Sequence, residues 1–120
     1  MKLYGIPNCS TVKKAREWLA QHGVDYTFHD FKKQGLATKT AQQWLSQLPW
    51  EKLVNRSGMT WRNLSETEKA AIQDAESALL LMQAQTSVIK RPLLVDDDRI
   101  LTLGFDAETY AQLFRQSKEA

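Results

Sequence analysis

A chain of 120 residues, 42% hydrophobic and 25% charged, is long enough to bury one core without disulfides or metal and too apolar to be disordered. A formal net charge of +2, with the basic residues dispersed, gives no electrostatic case for nucleic acid or an anionic membrane. The lone cysteine excludes an intramolecular disulfide, the longest apolar run (Ala78 to Met82) is far too short to span a bilayer, and no charged and then apolar leader opens the chain. The expectation is a monomeric cytoplasmic protein forming one domain over 1–120.

Lys2 to Ile6 reads as a short strand, broken by Pro7 and Asn8, after which Val12, Ala15, Trp18 and Leu19 recur at helical spacing. Gly23 stops that helix, and Val24, Tyr26 and Phe28 alternate with polar residues as a second strand. Strand, helix, strand is a βαβ unit, which requires parallel strands joined by a right-handed crossover.

Lys32 to Gly35 reads as a polar connection, and Thr38 is placed to cap a helix lined by Ala41, Trp44, Leu45 and Leu48 and ended by Pro49. A short helix over Trp50, Leu53 and Val54 precedes the turn Asn55-Arg56-Ser57-Gly58. Ser65 and Glu68 match a capping box, which predicts a long helix to about Ala84 with a break near Ser77. Residues 38–84 therefore form a helical insertion without strand patterning. A third strand is predicted from Val88 through Val95. Pro92 inside it marks an edge, a bulge or a cis bond, because proline donates no ladder hydrogen bond. Asp96-Asp97-Asp98 turns into a fourth strand over Ile100, Leu101 and Leu103, and Asp106 caps a last helix carrying Tyr110, Leu113 and Phe114.

Cys9 falls at the strand-to-helix junction, where unpaired helical amides and a positive dipole end favour thiolate over thiol. A lone cysteine is more often a small buried hydrophobe. The Pro-Asn before it and the cation-rich helix after it reverse that reading. Lys13 lies one turn beyond and either supports a thiolate or is an exposed helix lysine. His22 and His29 lack partners at ligand spacing, so no metal site is expected.

The blocks Tyr4-Gly5-Ile6-Pro7-Asn8-Cys9-Ser10-Thr11-Val12-Lys13-Lys14-Ala15, Asn55-Arg56-Ser57-Gly58, Thr60-Trp61-Arg62 and Ile89-Lys90-Arg91-Pro92-Leu93-Leu94 together resemble the ArsC/Spx (arsenate reductase-like) family, most closely its YffB-like branch. The resemblance implies an α/β thioredoxin-like fold, a mixed four-stranded sheet with flanking helices and an inserted helical subdomain. It also implies a thiol reductase with Cys9 as nucleophile on a disulfide or oxyanion, no tightly bound cofactor, glutathione as co-substrate and a glutaredoxin-like partner. Arg91 matches the family's Arg-Pro arginine as anion binder, and Pro92 supports the site structurally. Asn8, Ser10, Lys13 and Arg56 complete the expected anion-binding set. Of the three arginines that hold arsenate in such enzymes, one falls at Asn55 with Arg56 one position away, and another falls in Leu101-Thr102-Leu103-Gly104, which has none. An Spx-like regulator that binds RNA polymerase is the alternative, although the Cys-x-x-Cys switch common in such regulators has Val12 in its second position.

Overall fold

The computed structural model describes residues 1–119, with side chains described as far as Arg115. In chain order the elements are β1 (Lys2–Gly5), α1 (Ser10–Gln21), β2 (Thr27–Asp30), α2 (Phe31–Gln34), α3 (Thr38–Gln47), α4 (Trp50–Leu53), α5 (Met59–Arg62), α6 (Glu66–Ala70), α7 (Ala75–Ala84), a 3-10 turn (Thr86–Val88), β3 (Leu93–Asp96), β4 (Arg99–Leu103) and α8 (Ala107–Glu119). They divide into two compact units, one of residues 1–30 and 91–120 and one of residues 31–90.

The first unit holds the sheet, in the order β2-β1-β3-β4. β1 pairs parallel with β2, and antiparallel with β3, which pairs antiparallel with β4. This is the mixed four-stranded sheet of the thioredoxin-like fold. The parallel pair follows from the α1 crossover, since a tight hairpin can join only antiparallel strands. β3 and β4 are such a hairpin, and Asp97 and Asp98 turn it at φ of 48° and 68°. Aspartate tolerates this left-handed region better than most residues. Leu3, Ala15, Leu19, Leu94 and Tyr110 form the buried centre, flanked by Trp18, Phe28, Phe105 and Phe114.

β2 starts three residues later than the alternation suggests. Gly23 ends α1 at φ 64°, and the Val24 amide donates back to the Leu19 carbonyl at 3.0 Å. The backbone of Val24 thus closes the helix, and pairing begins with Thr27, whose amide donates to the Met1 carbonyl at 2.9 Å. Val24, Tyr26 and Phe28 still pack on the core as the alternation requires.

The second unit is helical. Phe31 and Trp44 meet edge to face at 6.2 Å, and Ala41, Leu53, Val54, Ala78, Met82, Val88 and Ile89 complete its interior. The stretch read as a polar connection forms α2, whose first residue, Phe31, is buried in that interior. Ala37, not Thr38, is the N-cap of α3, and Thr38 Oγ1 instead accepts a hydrogen bond from the side-chain Nε2 of Gln83 at 2.9 Å.

The long helix expected after Ser65, with a break near Ser77, is two helices, and the break falls a few residues earlier, over 71–74. A second capping box, in which Asp74 accepts from the Ser77 amide and Ser77 Oγ accepts from the Asp74 amide, starts α7 afresh. Nor does the third strand begin at Val88. The Asn55 amide donates to the Val88 carbonyl and the Lys90 amide to the Leu53 carbonyl, both at 2.8 Å, so these backbone groups are satisfied within the helical unit. Pairing in the sheet starts only after Pro92.

Candidate active site

β1 carries the chain up to Gly5, and the buried Ile6 and exposed turn at Pro7 and Asn8 lead it into α1. Cys9 is the N-cap of that helix, with extended backbone (φ −102°, ψ 125°), and its carbonyl accepts the first helical bond from the Lys13 amide at 2.9 Å. The antiparallel register pairs Tyr4 with Leu93, so the chain entering β3 lies beside the chain leaving β1. Arg91 and Pro92, joined by a cis peptide bond, are therefore brought to the cysteine. The Pro92 carbonyl is occupied by the Gly104 amide at 2.8 Å, which anchors this segment to the end of β4.

Cys9 is a free thiol, half-buried. Partial burial pushes its pKa up, but the backbone amides of Val12 and Thr11 and a hydrogen bond and charge from Arg91 act against that, and together they hold it below the ordinary thiol value. The sulfur closes no hydrogen bond of capping geometry. The unpaired amides at the start of α1 nonetheless favour the charged form at this position. The arrangement favours the thiolate, the form in which a cysteine can act as a nucleophile, and sets the Arg91 guanidinium beside it, a group able to pair with an anion.

The sheet unit thus gathers Cys9, Arg91 and Pro92 from opposite ends of the sequence and keeps Asn8, Ser10 and Lys13 next to them along the chain. Asn8 and Ser10 are exposed, Ser10 as the first residue of α1. Lys13 has an exposed side chain and meets Cys9 through its backbone, while Arg91 supplies the cationic influence on the sulfur. Arg56 is an exposed residue of the helical unit, its guanidinium 5.5 Å from the Trp50 ring centroid. The Thr11 and Val12 amides were foreseeable only as members of a helix terminus, because no side-chain type announces them. At the end of β4, beside Pro92, the stretch Leu101 to Gly104 brings no arginine to this part of the sheet.

Residues 4–113 match the family model described as the ArsC family. The solved structure of a protein called YffB is 43% identical with a TM-score of 0.86, covering 92% of this chain and 96% of that one. An arsenate reductase (ArsC) related protein from Brucella melitensis is 48% identical with a TM-score of 0.75, over 95% of this chain and 93% of the other. The global transcriptional regulator Spx of Staphylococcus epidermidis is 24% identical over 88% of this chain and 80% of its own length. Among the described residues, no helix is long and apolar enough to cross a membrane.

Proposed function

The chain belongs to the ArsC family, and from that premise we propose that it is a cytoplasmic, glutathione-dependent thiol reductase acting on disulfides. The observation that carries this reading is the geometry at Cys9, the N-cap of α1, with the Thr11 and Val12 amides and Arg91 placed to favour its thiolate. The Cys9 thiolate attacks one sulfur of a disulfide R–S–S–R′, forming Cys9–S–S–R and expelling R′S⁻, which takes a proton from solvent. With no second cysteine in the chain, the mixed disulfide is resolved by an outside thiol. Glutathione supplies it: its thiolate attacks the R sulfur, releases the Cys9 thiolate and leaves a glutathione mixed disulfide, which a second glutathione or a glutaredoxin reduces. Arg91 favours the thiolate as both attacking and leaving group, and it can pair with a carboxylate of glutathione.

A disulfide substrate suits this chain better than arsenate. A multiply charged oxyanion needs several cations, since each charge-assisted hydrogen bond contributes roughly 1.5–3 kcal/mol, and the sheet unit offers Arg91 without an arginine at the end of β4. The regulator reading is weakened by the side chain of Val12, which is fully buried where a switch cysteine would stand.

The test is glutathione-coupled reduction of 2-hydroxyethyl disulfide by the purified chain. Cys9→Ser is expected to abolish turnover and Arg91→Ala to slow it several-fold; unchanged kinetics in both variants would overturn the proposal. Arsenate as substrate in the same assay is expected to give no turnover above the Cys9→Ser blank.

A further inference from the structure

Gly5 ends β1 four residues before the sulfur, buried and paired in register with Asp30. A methyl group placed on its Cα would stand 2.8 Å from Cγ2 and 3.2 Å from Cγ1 of Val12. The first of these distances is far inside van der Waals contact. Val12 cannot yield by turning, because a β-branched side chain in a helix is held in essentially one χ1 rotamer and this one is completely buried. Its backbone amide is one of the two that act on Cys9. The bare face of the glycine, the seat of the valine and the amides at the sulfur therefore form one mechanical series.

We propose that Gly5 is a positioning residue for Cys9: by carrying no side chain it lets Val12 seat directly against β1, which holds the first turn of α1 with its amides toward the sulfur. Backbone freedom is not the reason for this glycine, since its φ lies outside the left-handed region that its fellows Gly23, Gly35 and Gly104 occupy. Its reason is close approach, the other use to which a strand glycine is put. Any side chain at this position must displace Val12, and the displacement of a first-turn residue carries its amide with it. The inference rests on the reading of Cys9 as a nucleophile and deepens it by naming a residue that touches neither substrate nor sulfur.

The experiment is the rate of Cys9 alkylation by iodoacetamide against pH in the wild type, Gly5→Ala, Val12→Ala and the Gly5→Ala/Val12→Ala double variant, with Cys9→Ser as blank. Gly5→Ala is expected to raise the alkylation pKa and to slow alkylation at pH 7 about threefold or more, as the thiolate fraction falls. The double variant, in which the colliding methyls of Val12 are gone, is expected to return to the pH profile of Val12→Ala alone. An unchanged profile in folded Gly5→Ala, or a raised pKa that Val12→Ala does not rescue, overturns the proposal. Should Gly5→Ala fail to fold, the double variant decides alone: the Val12→Ala profile supports the proposal and a raised pKa overturns it. Because alkylation needs neither glutathione nor a disulfide, the two readings fail separately. Loss of the exchange activity with the pKa shifts intact removes the functional reading only, and intact exchange with no effect of Gly5→Ala removes this inference only.

Discussion

Ionisation of Cys9 is tied to the folded state, because each group that lowers its pKa is brought to it by folding. The Val12 and Thr11 amides reach it only when α1 is formed, and Arg91 only when β1 pairs with β3. The linkage has a definite sign. An acid whose native pKa lies below its unfolded value adds stability that is complete above the unfolded value and is lost as pH falls through the native one. For Cys9, wild-type stability should therefore rise relative to Cys9→Ser as pH increases through the native thiol pKa and level off above the unfolded value of about 8.5. Urea midpoints of the two proteins at several pH values check this. Parallel profiles would mean that the thiolate is no better accommodated in the folded chain than in the unfolded one.

The helices of residues 31–90 are short, and α6 depends on its cap more than on its length. Ser65 Oγ accepts from the Glu68 amide at 3.0 Å and Glu68 Oε1 accepts from the Ser65 amide at 2.8 Å, so two orphan donors are satisfied by two side chains. Ser65→Ala should cost about 1 kcal/mol, read from urea denaturation, and Glu68→Gln less, because the glutamine carbonyl still accepts from Ser65. This box was legible in four residues because both halves are side chains at fixed spacing. The second box was legible only as a break near Ser77: Ala70, Ala71 and Ile72 continue the helical spacing, and the restart depends on the Ser77 hydroxyl accepting from Gln73 and Asp74. Val88 and Ile89 misled for a different reason. Their apolar, β-branched side chains read as strand, but their amides donate to the Gln85 and Thr86 carbonyls and the segment meets Leu53 to Asn55 only in an isolated bridge. At the site, the helix terminus under Cys9 was visible in the Pro-Asn-Cys stretch. That Arg91 faces the sulfur could come only from the family motif, since spacing along the chain says nothing about segments so far apart.

At the scale of the whole chain, the sheet unit is built from the two ends of the sequence, with residues 31–90 forming their own compact unit between them. Tyr110, on α8, is where the C-terminal end enters the core laid down by Leu3, Ala15 and Leu19 from the N-terminal end. Its ring meets Trp18 edge to face at 5.5 Å and Phe105 at 4.9 Å, and the side chain is completely buried. Its hydroxyl is buried as well, finds no hydrogen-bond partner among the described residues, and is driven above the ordinary tyrosine pKa by that burial. The ring and the hydroxyl should therefore have opposite effects on stability. A buried hydroxyl without a partner carries a desolvation penalty of roughly 1–3 kcal/mol, which Tyr110→Phe removes while leaving the ring contacts in place. That variant should be as stable as the wild type or more so. Tyr110→Ala removes the aromatic bridge itself and should cost on the order of 3–5 kcal/mol. Denaturation of the two variants under identical conditions separates the effects: a marked loss of stability in Tyr110→Phe would mean that the hydroxyl, and not the ring, joins the two ends of the chain.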